Sequence, residues 1–408
     1  MKKLVIIALA LILLIPAFAM ADDTVDISGK YYLWAFNTDN YQDFNNKNDA
    51  DNEAYFYSKL RIATSVKPAD DVMVYWRMDV NEGVWGSATS GSWPWSRAYG
   101  GGNNVHFDYA WAKITKDFGS ITVGHQYFGL GNSIALEGMA ESIKLVVTPP
   151  NSPVAITGFY AKDSEGGAKT DTVGTQDTDI AGINVGFAAD PVNVNFYAAE
   201  RNDRKANNYN TLIGAQVTAK LGVVDLNAEF DFFGGEAKKV GPDTDYKGQQ
   251  LFVQATMHPI ENFMVAAQLV YAKGFTGKNE VQVTNMGDCG SFSPYDYGIM
   301  HTEFNPVRAA GLHPMDLGKN AGTRAVNFIF DFTVQEGVLI QGSLGWAQPD
   351  EDKNSPLEHA LVFNLGATFD VATNTKFGVQ YNRIAVSMDK GVKDDAADAF
   401  MAALYLNF

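Results

Sequence analysis

From Val25 to the C-terminus the chain runs in short segments whose apolar residues recur at every second position. No stretch sustains amphipathic-helix spacing over three turns. That period is the tightest constraint on the fold, because successive side chains of a strand point to opposite faces of its sheet. Over 53–67, Ala54, Phe56, Leu60, Ile62 and Val66 occupy one face, and Tyr55, Tyr57, Lys59, Arg61, Ser65 and Lys67 the other. Over 224–232, Val224, Leu226, Ala228, Phe230 and Phe232 oppose Asp225, Asn227, Glu229 and Asp231, and 326–334 and 361–370 repeat the pattern. The chain is all-β, and its strands separate two unlike media.

The connections alternate in length. Short turns are expected near 67–71, 116–119, 149–153, 189–191, 221–223, 259–262, 335–337 and 371–374. Between them lie longer polar loops at 38–52, 84–104, 128–141, 164–176, 202–208, 235–247, 276–324, 347–356 and 388–395. Eight turns and nine loops make 17 connections and hence 18 strands, with 16 as the alternative. Short connections at one end of a meander and long ones at the other are the pattern of a transmembrane antiparallel up-and-down β-barrel, with short periplasmic turns and long extracellular loops. A bilayer core has no water to satisfy a sheet edge, so such a sheet must close on itself.

Composition agrees. Mean hydropathy is -0.14, and the only long apolar run, Leu4 to Ala19, follows Lys2 and Lys3 and precedes an Ala19-Met20-Ala21 site. Residues 1–21 therefore read as a secretory signal peptide and 22–408 as one barrel domain. Loss of Lys2 and Lys3 takes the net charge from -16 to -18, which disfavours nucleic acid as a partner. The single cysteine, Cys289, excludes an intramolecular disulfide framework.

The last segment, Phe400 to Phe408, has apolar residues at alternate positions and a terminal aromatic. It resembles the assembly signal of Gram-negative outer-membrane barrels, whose last strand is read by the barrel-insertion machinery and closes against the first. The resemblance gives that role to Tyr405, Leu406 and Phe408. A second stretch, Val105-His106-Phe107-Asp108-Tyr109-Ala110-Trp111 followed by Phe118 to Gly129, is similar to the strand, turn and strand that lead into the inward-folded third loop of general diffusion porins. His125 stands where that family usually has arginine, and alternation from Ile121 and Val123 turns it outward unless Gly124 bulges. The resemblance implies a bacterial outer-membrane porin in contact with lipid and lipopolysaccharide, passing ions and small hydrophilic solutes by passive diffusion. It also implies a homotrimer, no enzyme activity and no cofactor.

Alternation places Lys59, Arg61, Arg77 and Asp79 on the lumen side of the second and third strands, and Asp225, Glu229 and Asp231 on that of a later one. By analogy with porins, the loop after Gln126 brings Glu137 or Glu141 towards the basic cluster and forms the constriction. The alternative is that these charges solvate a wide wall. The acidic excess predicts a mild cation preference. Trp76, Tyr109, Trp111, Tyr271, Trp346 and Tyr381 fall mostly on the outer face, as an aromatic girdle, while Tyr55, Tyr57 and Tyr75 point inward. A catalytic reading of His106 and Asp108 with Ser87, Ser90 or Ser92 lacks a nucleophile motif. The set Asp288, Cys289, Asp296, His301 and His313 matches no zinc spacing, so a surface or pore-occluding loop is the better reading of 276–324. Asp39, Asp43, Asp49 and Asp51 read as a solvated acidic loop. Two alternative functions remain: a solute-specific sugar or anion channel, and a barrel serving as sheath or structural surface protein.

Overall fold

The computed structural model describes residues 25–40, 53–85, 105–164, 177–204, 206–237, 244–287, 315–389 and 394–408. The expected signal peptide, Ser87, Ser90, Ser92, Asp43, Asp49, Asp51, Cys289 and the other candidate metal ligands of 288–313 lie outside these residues. The strands are β1 (Val25–Asp39), β2 (Glu53–Ala69), β3 (Val72–Val84), β4 (Val105–Lys116), β5 (Gly119–Leu130), β6 (Leu136–Val147), β7 (Val154–Ser164), β8 (Thr178–Ala189) and β9 (Val192–Asp203). They continue as β10 (Asn208–Leu221), β11 (Val224–Ala237), β12 (Thr244–Ile260), β13 (Phe263–Ala272), β14 (Glu280–Gln282), β15 (Thr323–Gln335), β16 (Val338–Gln348), β17 (Leu357–Ala372), β18 (Thr375–Met388) and β19 (Ala397–Asn407).

All but β14 pair antiparallel with their chain neighbours, β13 passes directly to β15, and β19 pairs with β1. The result is a closed barrel of 18 strands, as the alternation of turns and loops predicts. Each of the eight expected short turns joins consecutive strands. Closure is completed by two backbone bonds, Gly29 N–H to Phe408 O at 2.8 Å and Phe408 N–H to Gly29 O at 3.0 Å. Hydrogen bonding around the whole circumference is what lets a sheet stand in hydrocarbon.

The two faces are inverted relative to a water-soluble protein. Phe328 is 62% exposed, whereas its neighbour Asn327 is 0% exposed. Phe196, Ile213, Phe230 and Leu344 are likewise exposed, and Gln268, Ser343, Asn364 and Gln380 are buried. An apolar exterior suits acyl chains and a polar interior suits an aqueous path. Towards the long-loop end the interior also holds two apolar clusters. Trp34, Phe252, Val270, Leu357 and Met401 pack with Ile134, Met315 and Leu317. Phe128, Leu136, Phe159, Ile180 and Leu212 pack with Val283 and Met286. Residues of the connections therefore enter the barrel and cover its wall.

Two expectations are corrected. The loop over 128–141 shrinks to 131–135, because β5 and β6 continue as a hairpin paired as far as Leu130 and Leu136. Tyr109 and Trp111 face inward, because the β3–β4 register shifts between Arg77 and Met78, where Arg77 opposes Tyr109 and Met78 opposes Phe107. The extra residue, Asp108, reverses the parity of everything after it in β4.

Candidate functional site

The lumen is shaped by a hairpin that leaves the wall. Pairing of β4 with β5 stops at Ala110–His125, and pairing of β6 with β7 stops at Glu141–Lys162. Pairing of β5 with β6 continues beyond both. Residues 126–140 therefore fold inward as a two-stranded tongue. At its root Gln126 Nε2 donates to the carbonyls of Thr122 and Ser142, each at 3.1 Å.

The tip of the tongue is fastened to β10 and β11. Asn132 N–H donates to the Glu229 carboxylate. Asn132 Nδ2 donates to Asn227 Oδ1 at 3.2 Å, while Asn132 Oδ1 accepts from Asn227 Nδ2 at 2.8 Å and Gln216 Nε2 at 2.6 Å. Gly131 has φ 59°, and a Cβ there would lie 2.6 Å from the Glu229 carboxyl, so both conformation and space require glycine. The other side of the tongue meets the long connection after β13. Asn285 Nδ2 donates to Ile134 O at 2.6 Å, and Met286 N–H donates to Ala135 O at 2.9 Å. Glu280, in β14, accepts from Lys247 Nζ at 2.7 Å, and this bond holds its carboxyl below the usual carboxylate range. The described ends of the 276–324 segment thus pack inside the barrel, against the tongue and the wall, rather than on its surface.

The basic residues expected together are together. Arg61 donates to Asp79 at 2.6 and 2.7 Å and to Asp108 at 2.9 Å. Lys59 lies 3.2 Å from Asp79, Arg77 Nε donates to Asp108 at 2.7 Å, and the Arg77 guanidinium sits 4.0 Å from the Tyr109 ring centroid. His106 Nε2 is 3.7 Å from Asp79. Asp108 is therefore a member of an ion-pair network on the β2–β4 wall, and His106 adjoins it. Tyr75 and Trp111 stack beside it at 5.0 Å.

The acidic strand is placed differently from the expectation. Glu229 and Asp231 are each 1% exposed. Asp231 accepts from Tyr197 Oη at 2.7 Å and Gln250 Nε2 at 3.2 Å, and the tongue covers Glu229. They anchor the narrowing element and present no open charge. Asp225 remains beside a polar recess of about 480 Å³ at the short-turn end, lined also by Asn193, Thr218, Asn227, Gln254 and Thr256. Glu137 is buried in the tongue opposite Gly129. Glu141 shares its face of β6 with exposed Ile143 and Leu145 and lies 3.5 Å from His125, so both point away from the lumen. Glu141 is not a constriction residue, because outward alternation continues unbroken through it.

Sequence reasoning missed a belt of neutral amides. Asn184 donates to Asn195 (3.2 Å), and Asn195 to Gln216 (3.1 Å), which reaches Asn132 and so Asn227. Gln268 donates to Gln254 (2.8 Å), Asn327 to Gln268 (3.1 Å), Asn364 to Ser343 (2.8 Å) and Gln380 to Asn382 (2.5 Å). The belt follows the inner wall from β8 to β18. A side-chain amide at an inward position in nearly every later segment was the available signal. Among the described residues no group of His, Cys, Asp or Glu is arranged to hold a metal ion.

A closed 18-strand barrel, apolar outside and polar within, and crossed by an inward tongue, defines an outer-membrane channel. Residues 8–159 match the family model of Gram-negative porins. Similar solved structures include Pseudomonas aeruginosa OccK8 (OprE), at TM-score 0.58 and 9% identity over 94% of this chain and 98% of that chain. Acinetobacter baumannii OccAB3 gives 0.60 and 12% over 94% and 99%, and P. aeruginosa OpdK with vanillate gives 0.56 and 11% over 94% and 98%. Likeness at such identity speaks to the fold alone. No curated protein matches the chain.

Proposed function

We propose that this porin passes ions and small hydrophilic solutes by passive diffusion, with a size limit set by the 126–140 tongue and only weak discrimination by charge. The observation that carries the reading is the tongue itself, held across a polar lumen by Asn132 on one side and by Asn285 and Met286 on the other. Weak charge discrimination follows from neutralisation. Lys59, Arg61 and Arg77 are met by Asp79 and Asp108, and Glu229 and Asp231 are covered. A fixed charge with its counter-charge within about 3 Å projects little field into a salt-filled lumen. The remaining slight cation preference rests on Asp225. Under a KCl gradient the reversal potential should lie close to zero and on the potassium side, and Asp225→Asn should bring it nearer zero. Strong chloride selectivity would refute this reading, since it would require the basic wall to act unpaired. The same proposal includes insertion through Tyr405, Leu406 and Phe408, and a homotrimer, which crosslinking of the purified protein tests.

A further inference from the structure

We infer that the polar recess beneath the tongue tip is a binding site for neutral polyhydroxylated solutes of the saccharide class. The inference rests on the channel reading and names the solute that this lumen holds best. The first observation is the chemistry of the recess. Its polar lining is Asn193, Thr218, Asn227, Gln254 and Thr256, with the charges of Asp190, Lys220 and Asp225 gathered at its short-turn edge, and its volume of about 480 Å³ falls within the roughly 300–1,000 Å³ usual for small-molecule sites. Amides and hydroxyls offer donors and acceptors side by side, as vicinal hydroxyl groups do, and they offer no net charge to an ion.

The second observation is that these groups are held in place. Gln254 Nε2 donates to Thr256 Oγ1 at 3.0 Å while its Oε1 accepts from Gln268. Asn227 is fixed by Asn132. Side chains already oriented lose little freedom when a ligand binds. The third observation lies on the other arc of the lumen, where the Tyr75, Tyr109 and Trp111 rings adjoin guanidinium groups already paired with Asp79 and Asp108. Flat rings beside paired charges suit a sugar, whose ring presents C–H faces and whose rim presents hydroxyls. An anionic solute would have to displace Asp79 or Asp108 from those guanidiniums, and a cation would find the Glu229 and Asp231 carboxylates covered and the recess-edge Asp190 and Asp225 sharing that edge with Lys220. The arrangement therefore favours a neutral solute over either ion.

The test is single-channel recording of the full-length protein in KCl, with sucrose, raffinose or maltotriose added. A saturable, concentration-dependent block of the current is expected, and Gln254→Leu or Thr256→Val should raise the half-blocking concentration at least fivefold. Benzoate at equal concentration should block less than the sugars. A channel that conducts KCl but shows no saturable sugar block, or is blocked more strongly by benzoate, overturns the site while leaving the channel reading intact. If purified barrel fails to conduct KCl, the channel reading fails on its own. Titration calorimetry of the folded protein in detergent with the same sugars then decides the site, and absence of saturable binding overturns it.

Discussion

Substituting Asn132 by Ala isolates the contribution of the tongue latch. The change removes three side-chain hydrogen bonds, one donated to Asn227 and one accepted from each of Asn227 and Gln216, and leaves the Asn132 N–H bond to Glu229 in place. Asn227 and Gln216 are half-buried, and water can take over their vacated positions. Each bond is then worth about 1 kcal/mol, or about 2–3 kcal/mol together. At about 1.4 kcal/mol per decade, the ratio of latched to released tongue falls roughly 30- to 150-fold. The Asn285 and Met286 contacts still hold the opposite side, so the latched form stays in the majority and release is brief. Planar-bilayer recording should therefore show the wild-type main level interrupted by short excursions to higher conductance, and Asn132→Ala with Asn285→Ala should lengthen them. A single variant with wild-type conductance and wild-type open-channel noise would refute the latch.

Arg in place of Phe328 puts a charge among acyl chains near mid-strand and should cost roughly 2–4 kcal/mol, measured as a lower urea midpoint in vesicles. Arg in place of lumen-facing Ser65 should leave that midpoint unchanged. Gly29→Leu should impair assembly, as removal of Phe408 should, because a Cβ at position 29 would run into the Phe408 ring and lie 2.9 Å from the Arg61 carbonyl. Wild-type amounts of heat-modifiable Gly29→Leu protein would contradict this. The lowered carboxyl pKa of Glu280 stabilises the attachment of β14 above the ordinary glutamate pKa, near 4.3, and that stabilisation is lost as pH falls through the lowered value. The protection of the 280–282 amides, taken as the intrinsic exchange rate at each pH divided by the observed rate, should accordingly fall in acid, and protection independent of pH would count against the Lys247 clasp.

The barrel was legible because alternation and turn length are local properties. A strand between lipid and water must alternate, and Phe328 beside Asn327 states the two faces in adjacent letters. Parity at Tyr109 and Trp111 was not legible, since the bulge at Asp108 arises only when β4 is aligned on β3. The sequence near Gln126 announced an inward element, yet alternation persists from Ile121 to Leu130 whether or not β5 keeps its outer partner. Where the wall ends and the tongue begins therefore depends on pairing, not on pattern. In the sequence Glu229 and Asp231 look like field charges, because their acidity is written there and their cover is not. That cover comes from Asn132, 97 positions before Glu229. The amide belt is illegible in the sequence for a related reason: each amide is an ordinary polar residue in its own strand, and only the register joins them.

The most direct measurement is the unitary KCl current of the purified, refolded chain in a planar bilayer. Discrete, ohmic steps of reproducible size, with a reversal potential close to zero in a salt gradient, are the predicted result. Folded, heat-modifiable protein that inserts into the bilayer but carries no ionic current would contradict the assignment of this barrel as an open, tongue-narrowed channel.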